Sequence, residues 1–197
     1  MTKFSATRSL QHLQRTEARR AASMQESEGE DSPLWYRLVT GKSIADLSQA
    51  TKSLGKKPGR ILDHFVLPLV FEHQTDDLRQ ESALSDQPDN RELAQKLGAL
   101  STPSLKESRT VDVQDVVMHE GRLEVQVDYR ELTEEYLELT AAIREILRVP
   151  ADFEFRLGAY TPAIIIFRGG DLSSGTVDTI AARVPDQLTV SPAVSSY

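Results

Sequence analysis

The 197-residue chain contains no cysteine. Disulfides, zinc–thiolate sites, iron–sulfur clusters and thiol nucleophiles are therefore excluded together, and the redox compartment cannot be read. Long apolar runs are missing as well. The longest, Ile164 to Phe167 with Ala163 before it, falls far short of the roughly 20 residues that cross a bilayer, so no membrane association is expected. Histidine is scarce: His12, His64, His73 and His119 are the whole set, with none after His119. No two of them have metal-ligand spacing with a carboxylate in reach, so neither a metal site nor a cofactor is expected. Basic residues are outnumbered, 23 Lys and Arg against 30 Asp and Glu for a formal net charge of −7. That balance argues against a general nucleic-acid binder and leaves such work to a local basic patch.

What is present is an ordinary globular composition, 39% hydrophobic, long enough for one core and a tail. Residues 1–24 hold Lys3, Arg8, Arg15, Arg19 and Arg20 against Glu17 alone, and have no continuous apolar stretch. They read as a basic arm for docking a protein partner or RNA, in a chain expected inside the cell, in the cytoplasm. The same composition also fits a mitochondrial presequence, and it does not fit a secretory signal. Residues 25–33, with Glu26, Glu28, Glu30 and Asp31, read as an acidic linker. A single domain is expected over 34–197.

Within that domain, Leu34 to Thr40 has strand composition and ends at Gly41. Ser43 is placed to cap a helix whose inward positions are Ile44, Leu47, Thr51 and Leu54. Ile61 to Phe71 is apolar on both faces, as in a central strand, although Pro68 argues for an edge or a bulge. Asp76 to Glu92, charged and containing Pro88, reads as a loop between short helical pieces, with Arg91 to Leu100 as the better helix. Val111 to Met118 and Leu123 to Tyr129 alternate around His119-Glu120-Gly121-Arg122, a β-hairpin signature that makes His119 a turn residue. Thr133 is placed to cap a second helix with Tyr136, Leu139, Ile143 and Ile146 inward. Strand-like residues run from Phe153 to Phe167, then a short helix over 176–183 and a closing strand over 187–194. Residues 112–138 hold nine carboxylates against Arg122 and Arg130, a face that repels polynucleotides.

The order strand-helix-strand thus occurs twice, and neither copy buries its sheet face alone. The predicted class is α+β, with a two-lobed, antiparallel-rich sheet built from two βαβ-type repeats. That order, with Tyr160-Thr161-Pro162 leading into an apolar strand that ends Phe167-Arg168-Gly169, resembles the 2H phosphoesterase superfamily, the LigT-like and 2′-5′ RNA ligase-like proteins. The resemblance covers roughly residues 34–194. It implies two His-x-Thr/Ser motifs, one per lobe, whose histidines act as acid and base while the hydroxyls hold a phosphate.

At the first motif position this chain has His64-Phe65-Val66, and at the second Ala163-Ile164-Ile165. Valine and isoleucine donate no hydrogen bond to a phosphate, and alanine moves no proton, so three of the four parts are gone. An alternative register takes His73-Gln74-Thr75 as the first motif. His64 is thus a remnant catalytic histidine on one reading and a hydrogen-bonded core residue on the other. Lys56, Lys57 and Arg60 before the first motif strand, and Arg168 after the second, are the surviving candidates for phosphate contacts; otherwise they are solvated loop cations. The expectation is a noncatalytic binding or assembly module, a pseudoenzyme with a nucleotide or phosphate as its ligand. The alternative is a divergent phosphodiesterase acting on 2′,3′-cyclic phosphates or 2′-5′ linkages.

Overall fold

Two antiparallel sheets organise the chain. The computed structural model describes residues 33–62, 64–100, 103–150 and 162–197, with the backbone alone at Lys56, His73, Leu100, Pro103, Ser104 and Tyr129 to Glu131. The arm at 1–24, the linker up to residue 32 and the Tyr160-Thr161 lead-in lie outside the described residues. The small sheet has the order β3-β1-β8, from β1 (Pro33–Leu38), β3 (Val66–Phe71) and β8 (Val194–Ser195). The large sheet has the order β2-β6-β5-β4-β7, from β2 (Gly59–Ile61), β4 (Arg109–His119), β5 (Arg122–Val127), β6 (Ala163–Gly169) and β7 (Gln187–Val190). The helices are α1 (Lys42–Thr51), α2 (Glu72–Gln80), α3 (Asn90–Leu100), α4 (Pro103–Lys106), α5 (Tyr129–Leu147) and α6 (Ser174–Ala181). None among the described residues is long and apolar enough to cross a membrane.

The class is α+β, and strand-helix-strand recurs in each half. In both, the flanking strands end as antiparallel neighbours, β1 beside β3 and β5 beside β6. One contiguous core holds the molecule together. Leu47 of α1 and Ile180 of α6 join Leu123, Val125, Val127, Ile164 and Phe167 of the large sheet, and Leu93, Tyr136, Leu139 and Ile143 join Leu34, Leu67 and Leu69 of the small one.

Several expectations are corrected. Ile61 to Phe71 is not one strand. Ile61 pairs with Phe167, Leu62 N donates to Ile166 O, and three residues later Phe65 O accepts from Val39 N, so the chain passes from the large sheet to the small one over 62–65. The stretch is apolar throughout because it feeds two sheets in turn. Pro68 fits this arrangement, since β3 is an edge strand and needs no second ladder. The closing strand divides in the same way: β7 belongs to the large sheet and β8 to the small one, with the crossing at Ser191 to Ala193.

Asp76 to Glu92 is helical in its first part. Gln74 Oε1 accepts from Phe71 N at 2.9 Å, a half capping box, Arg79 pairs with Asp76 at 2.7 Å, and Leu78 and Thr75 face inward. The second helix begins a turn before Thr133, at Tyr129, because Leu132 adds a buried position four residues ahead of Tyr136. Ser43 does not cap α1. It lies inside the helix, where its Oγ accepts from Thr189 N at 2.9 Å and ties α1 to β7. Ile44, expected inward, is 40% exposed. Pro33, assigned to the linker by its composition, already belongs to β1.

Candidate functional site

Strand alternation decides what the large sheet shows to solvent. Along β5, Leu123, Val125 and Val127 are buried, while Arg122, Glu124 and Gln126 are half-buried on the opposite face. In β6 the same two faces are separated by a bulge: register with β5 shifts between Leu123↔Phe167 and Glu124↔Ile165, so Ile166 and Phe167 are both buried. Past the bulge, Arg168 returns to the open face. There it stands opposite Arg122 of β5 on one side and Arg60 of β2 on the other. His119 of β4 stands opposite Arg122. Arg60, Arg168, Arg122 and His119 therefore form one row across four adjacent strands.

Like charges directly opposite each other in a sheet cost a few tenths to about 1 kcal/mol per pair. Here the local backbone holds them there. Each arginine has a glycine beside it in sequence, Gly59-Arg60, Gly121-Arg122 and Arg168-Gly169. Gly59 and Gly169 are cross-strand partners, and Gly169 N donates to Gly121 O at 2.9 Å. Gly59 has φ 146°, and a Cβ there would lie 2.3 Å from the Phe167 ring. A Cβ on Gly169 would lie 2.6 Å from Gly59 Cα. Glu120 and Gly121 both have positive φ, as a two-residue type I′ hairpin turn requires. The hairpin signature in the sequence was thus a register device, and it brings Arg122 into the row.

Two carboxylates temper the row. Glu120 Oε2 lies 3.1 Å from Arg122 Nη2, and Glu124 Oε1 lies 3.9 Å from both Arg122 Nε and His119 Nδ1. The Arg60 side chain is exposed and has no hydrogen bond or ion pair among the described residues. Farther along the same face the pairs are Val117, Glu124 and Ile165, then Asp115, Gln126 and Ala163. The open face is cationic at the hairpin end and carries carboxylates toward Ala163.

The second motif position lies on this open face. Ala163 pairs with Gln126 and Ile165 with Glu124, so neither cross-strand partner is a histidine or a hydroxyl residue. The first motif position lies at the crossing between sheets. His64 is exposed at the rim of a pocket of about 260 Å³ whose walls include Leu38, Thr40, Ile44, Pro192 and Val194. It makes no hydrogen bond or ion pair among the described residues, so the core-residue reading does not hold. Val66 is 1% exposed and packs with Tyr36, Leu38 and Val194 in a small apolar cluster.

His73, the alternative register, sits on the first turn of α2 rather than in a strand. Thr75 Oγ1 donates to Glu72 O at 2.6 Å. The literal His-x-Thr is a helix start. Lys57 is exposed in the turn before β2, and Lys56 ends the 3₁₀ turn after α1. Of the four cations singled out in the sequence, the register brings Arg60 and Arg168 together. Arg122 and His119 were missed as members of the set; the signal available was the Gly-Arg, Gly-Arg, Arg-Gly recurrence.

A second ionic cluster is built around a buried pair. Arg37 of β1 donates from Nε to Glu135 Oε2 at 2.9 Å and from Nη1 to the carbonyls of Glu107 and Ser191 at 2.7 and 2.6 Å. Arg109 Nε lies 2.8 Å from Glu135 Oε1, close enough for charge contact but not aligned as a hydrogen bond. The Arg37 and Glu135 side chains are fully buried. Burial pushes the Glu135 carboxyl above the ordinary glutamate range, with the two guanidiniums pulling against it. This cluster joins α5, both sheets and the second crossing, and is structural. No group of three or more His, Asp or Glu among the described residues is placed to hold a metal ion.

No family model and no curated protein matches the chain. Among solved structures, the crystal structure of TT0787 of Thermus thermophilus aligns at 15% identity over 81% of each chain, with a TM-score of 0.45. Kluyveromyces marxianus Usb1 with uridine monophosphate aligns at 10% identity over 79% of this chain and 91% of that one, with a TM-score of 0.33.

Proposed function

We propose that the chain is a noncatalytic binding module on a 2H phosphoesterase-like fold, a pseudoenzyme that holds a phosphate-bearing ligand such as a nucleotide through Arg60 and Arg168. The observation that carries this reading is the contrast on one sheet face. Two arginines are held opposite each other by glycine packing, while the motif positions hold Ala163 and Ile165 and, on the other sheet, the buried Val66. Guanidinium groups bind phosphate through paired N–H donors and do not exchange protons at neutral pH, so they supply affinity and orientation without acid–base chemistry. Positioned acid–base groups ordinarily contribute about 10² to 10⁴ in rate, and the motif that supplies them is reduced to His64.

The test is a thermal-shift screen of mononucleotides on wild type and on the Arg60→Ala/Arg168→Ala double variant, paired with a hydrolysis assay on a 2′,3′-cyclic nucleotide. A ligand at 100 times its dissociation constant stabilises by about 2.7 kcal/mol, a shift on the order of several degrees for this size of domain. A shift in wild type that is lost in the double variant, without hydrolysis, is the expected result. Turnover that disappears in His64→Ala overturns the noncatalytic reading in favour of a divergent phosphodiesterase. No shift with any nucleotide leaves the fold as an assembly scaffold.

A further inference from the structure

The anion site is wider than one phosphate. Resting on the reading above, we infer that the row binds a linear chain of phosphates laid across the strands, with Arg122 as its third cation and the hairpin end of the sheet as its seat. Adjacent strands lie about 4.8 Å apart, so the row spans about 10 Å from Arg60 to Arg122. Arg122 cannot simply swing toward Arg168 to share one phosphate. It is 23% exposed and engaged at its own strand by Glu120 at 3.1 Å and Glu124 at 3.9 Å. The three guanidiniums therefore present separate subsites in a line.

Direction follows from charge. Toward Ala163 the same face carries Glu124 and then Asp115, which repel an anion that tries to run along the strands over the old motif positions. Across the strands the register partners Arg60, Arg168 and Arg122 are all cations, with no carboxylate at a position between them. The glycine packing makes the same point. Gly59, Gly169 and Gly121 hold three like charges in register against their mutual repulsion, and a polyanion lying over them converts that repulsion into attraction.

The phosphate chain can be the backbone of a single-stranded oligonucleotide or an inorganic polyphosphate, and the experiment separates the two. Binding of orthophosphate, tripolyphosphate and a short oligouridylate to the full chain is measured as a function of salt. Both chain ligands are expected to bind at least tenfold tighter than orthophosphate. With three contacts, log K for the oligonucleotide should fall with log salt at a slope of about −2, since single strands contribute about −0.7 per neutralised phosphate. Arg122→Gln should reduce that slope by about 0.7 and narrow the gap between chain and orthophosphate. Glu124→Gln should strengthen chain binding, and circular dichroism confirms that both variants remain folded. An oligonucleotide tighter than tripolyphosphate assigns the site to nucleic acid, and tripolyphosphate tighter than the oligonucleotide assigns it to polyphosphate; either supports the inference. Chain and orthophosphate binding alike, with Arg122→Gln unchanged in slope and Arg168→Ala defective, overturns the inference and leaves the single-phosphate reading standing. Failure of every phosphate ligand to bind wild type overturns that reading itself.

Discussion

Arg37 and Glu135 show how far one buried pair reaches. The guanidinium serves a carboxylate on α5 and two main-chain carbonyls, Glu107 and Ser191, while Arg109 attends the other carboxylate oxygen. Removing one partner leaves a buried charge alone. Arg37→Met is expected to cost about 3–5 kcal/mol in urea unfolding, and Arg37→Met/Glu135→Leu to recover much of that loss. Recovery absent from the double variant would mean that the carbonyl contacts, not the charge pair, hold the stability. The pair also sets a pH dependence. Because burial raises the folded carboxyl above its unfolded value, its contribution is full below the ordinary glutamate range and is lost as pH rises through the raised value. The stability difference between wild type and Glu135→Gln should therefore fall from about pH 4 toward neutrality. A difference that grows over that range would show that the two guanidiniums outweigh desolvation.

At the scale of elements, the glycine packing at the hairpin end is the point where register is set. Gly169→Ala places a methyl group against Gly59 Cα and the Pro58 carbonyl, and should destabilise by about 1–3 kcal/mol while weakening phosphate binding through Arg60 and Arg168. Gly170→Ala meets nothing within 4 Å and should be nearly neutral in the same unfolding measurement. Equal effects at the two sites would detach the row from its glycines. The sequence made the hairpin, α5 and the antiparallel α+β class legible because each has a strong local signature: Glu120-Gly121 between alternating strands, and Tyr136, Leu139 and Ile143 at helical spacing. It did not reveal the crossing at 62–65, since residues that feed two sheets read as one long apolar strand. Nor did it bound α2, whose described buried side chains are Leu78 and Thr75 among many charges. Arg60 and Arg168 were legible as candidate cations. Arg122 was not, because its place opposite Arg168 depends on the β5–β6 bulge as well as the hairpin, and the Gly-Arg recurrence alone does not specify that register.

For the whole molecule, the two crossings are what join the lobes. One runs over 62–65 from β2 to β3, the other over 191–193 from β7 to β8, and both meet β1: Val39 N donates to Phe65 O and Ser191 N to Leu38 O. The pocket beside His64 lies at this junction. Nothing described in the core requires residues before Pro33, so a chain beginning at Ser32 should unfold in one cooperative transition with the midpoint of the full chain. A transition that broadens or shifts down by several degrees would place the basic arm within the folded unit.

β1 is the first described strand, yet its second neighbour is the last: Tyr36 pairs with Val194, and Leu38 N donates to Ser191 Oγ across 153 positions. During translation, β1 and β3 emerge together, but the edge that completes the small sheet and the carbonyl that receives Arg37 are synthesised after every other described element. A ribosome still holding residues 191–195 carries a half-closed molecule with a buried-to-be guanidinium facing water. Completion of the small sheet is thereby tied to the emergence of that short segment, and a product truncated just before Ser191 lacks both the outer partner of β1 and one of the two carbonyls that receive Arg37.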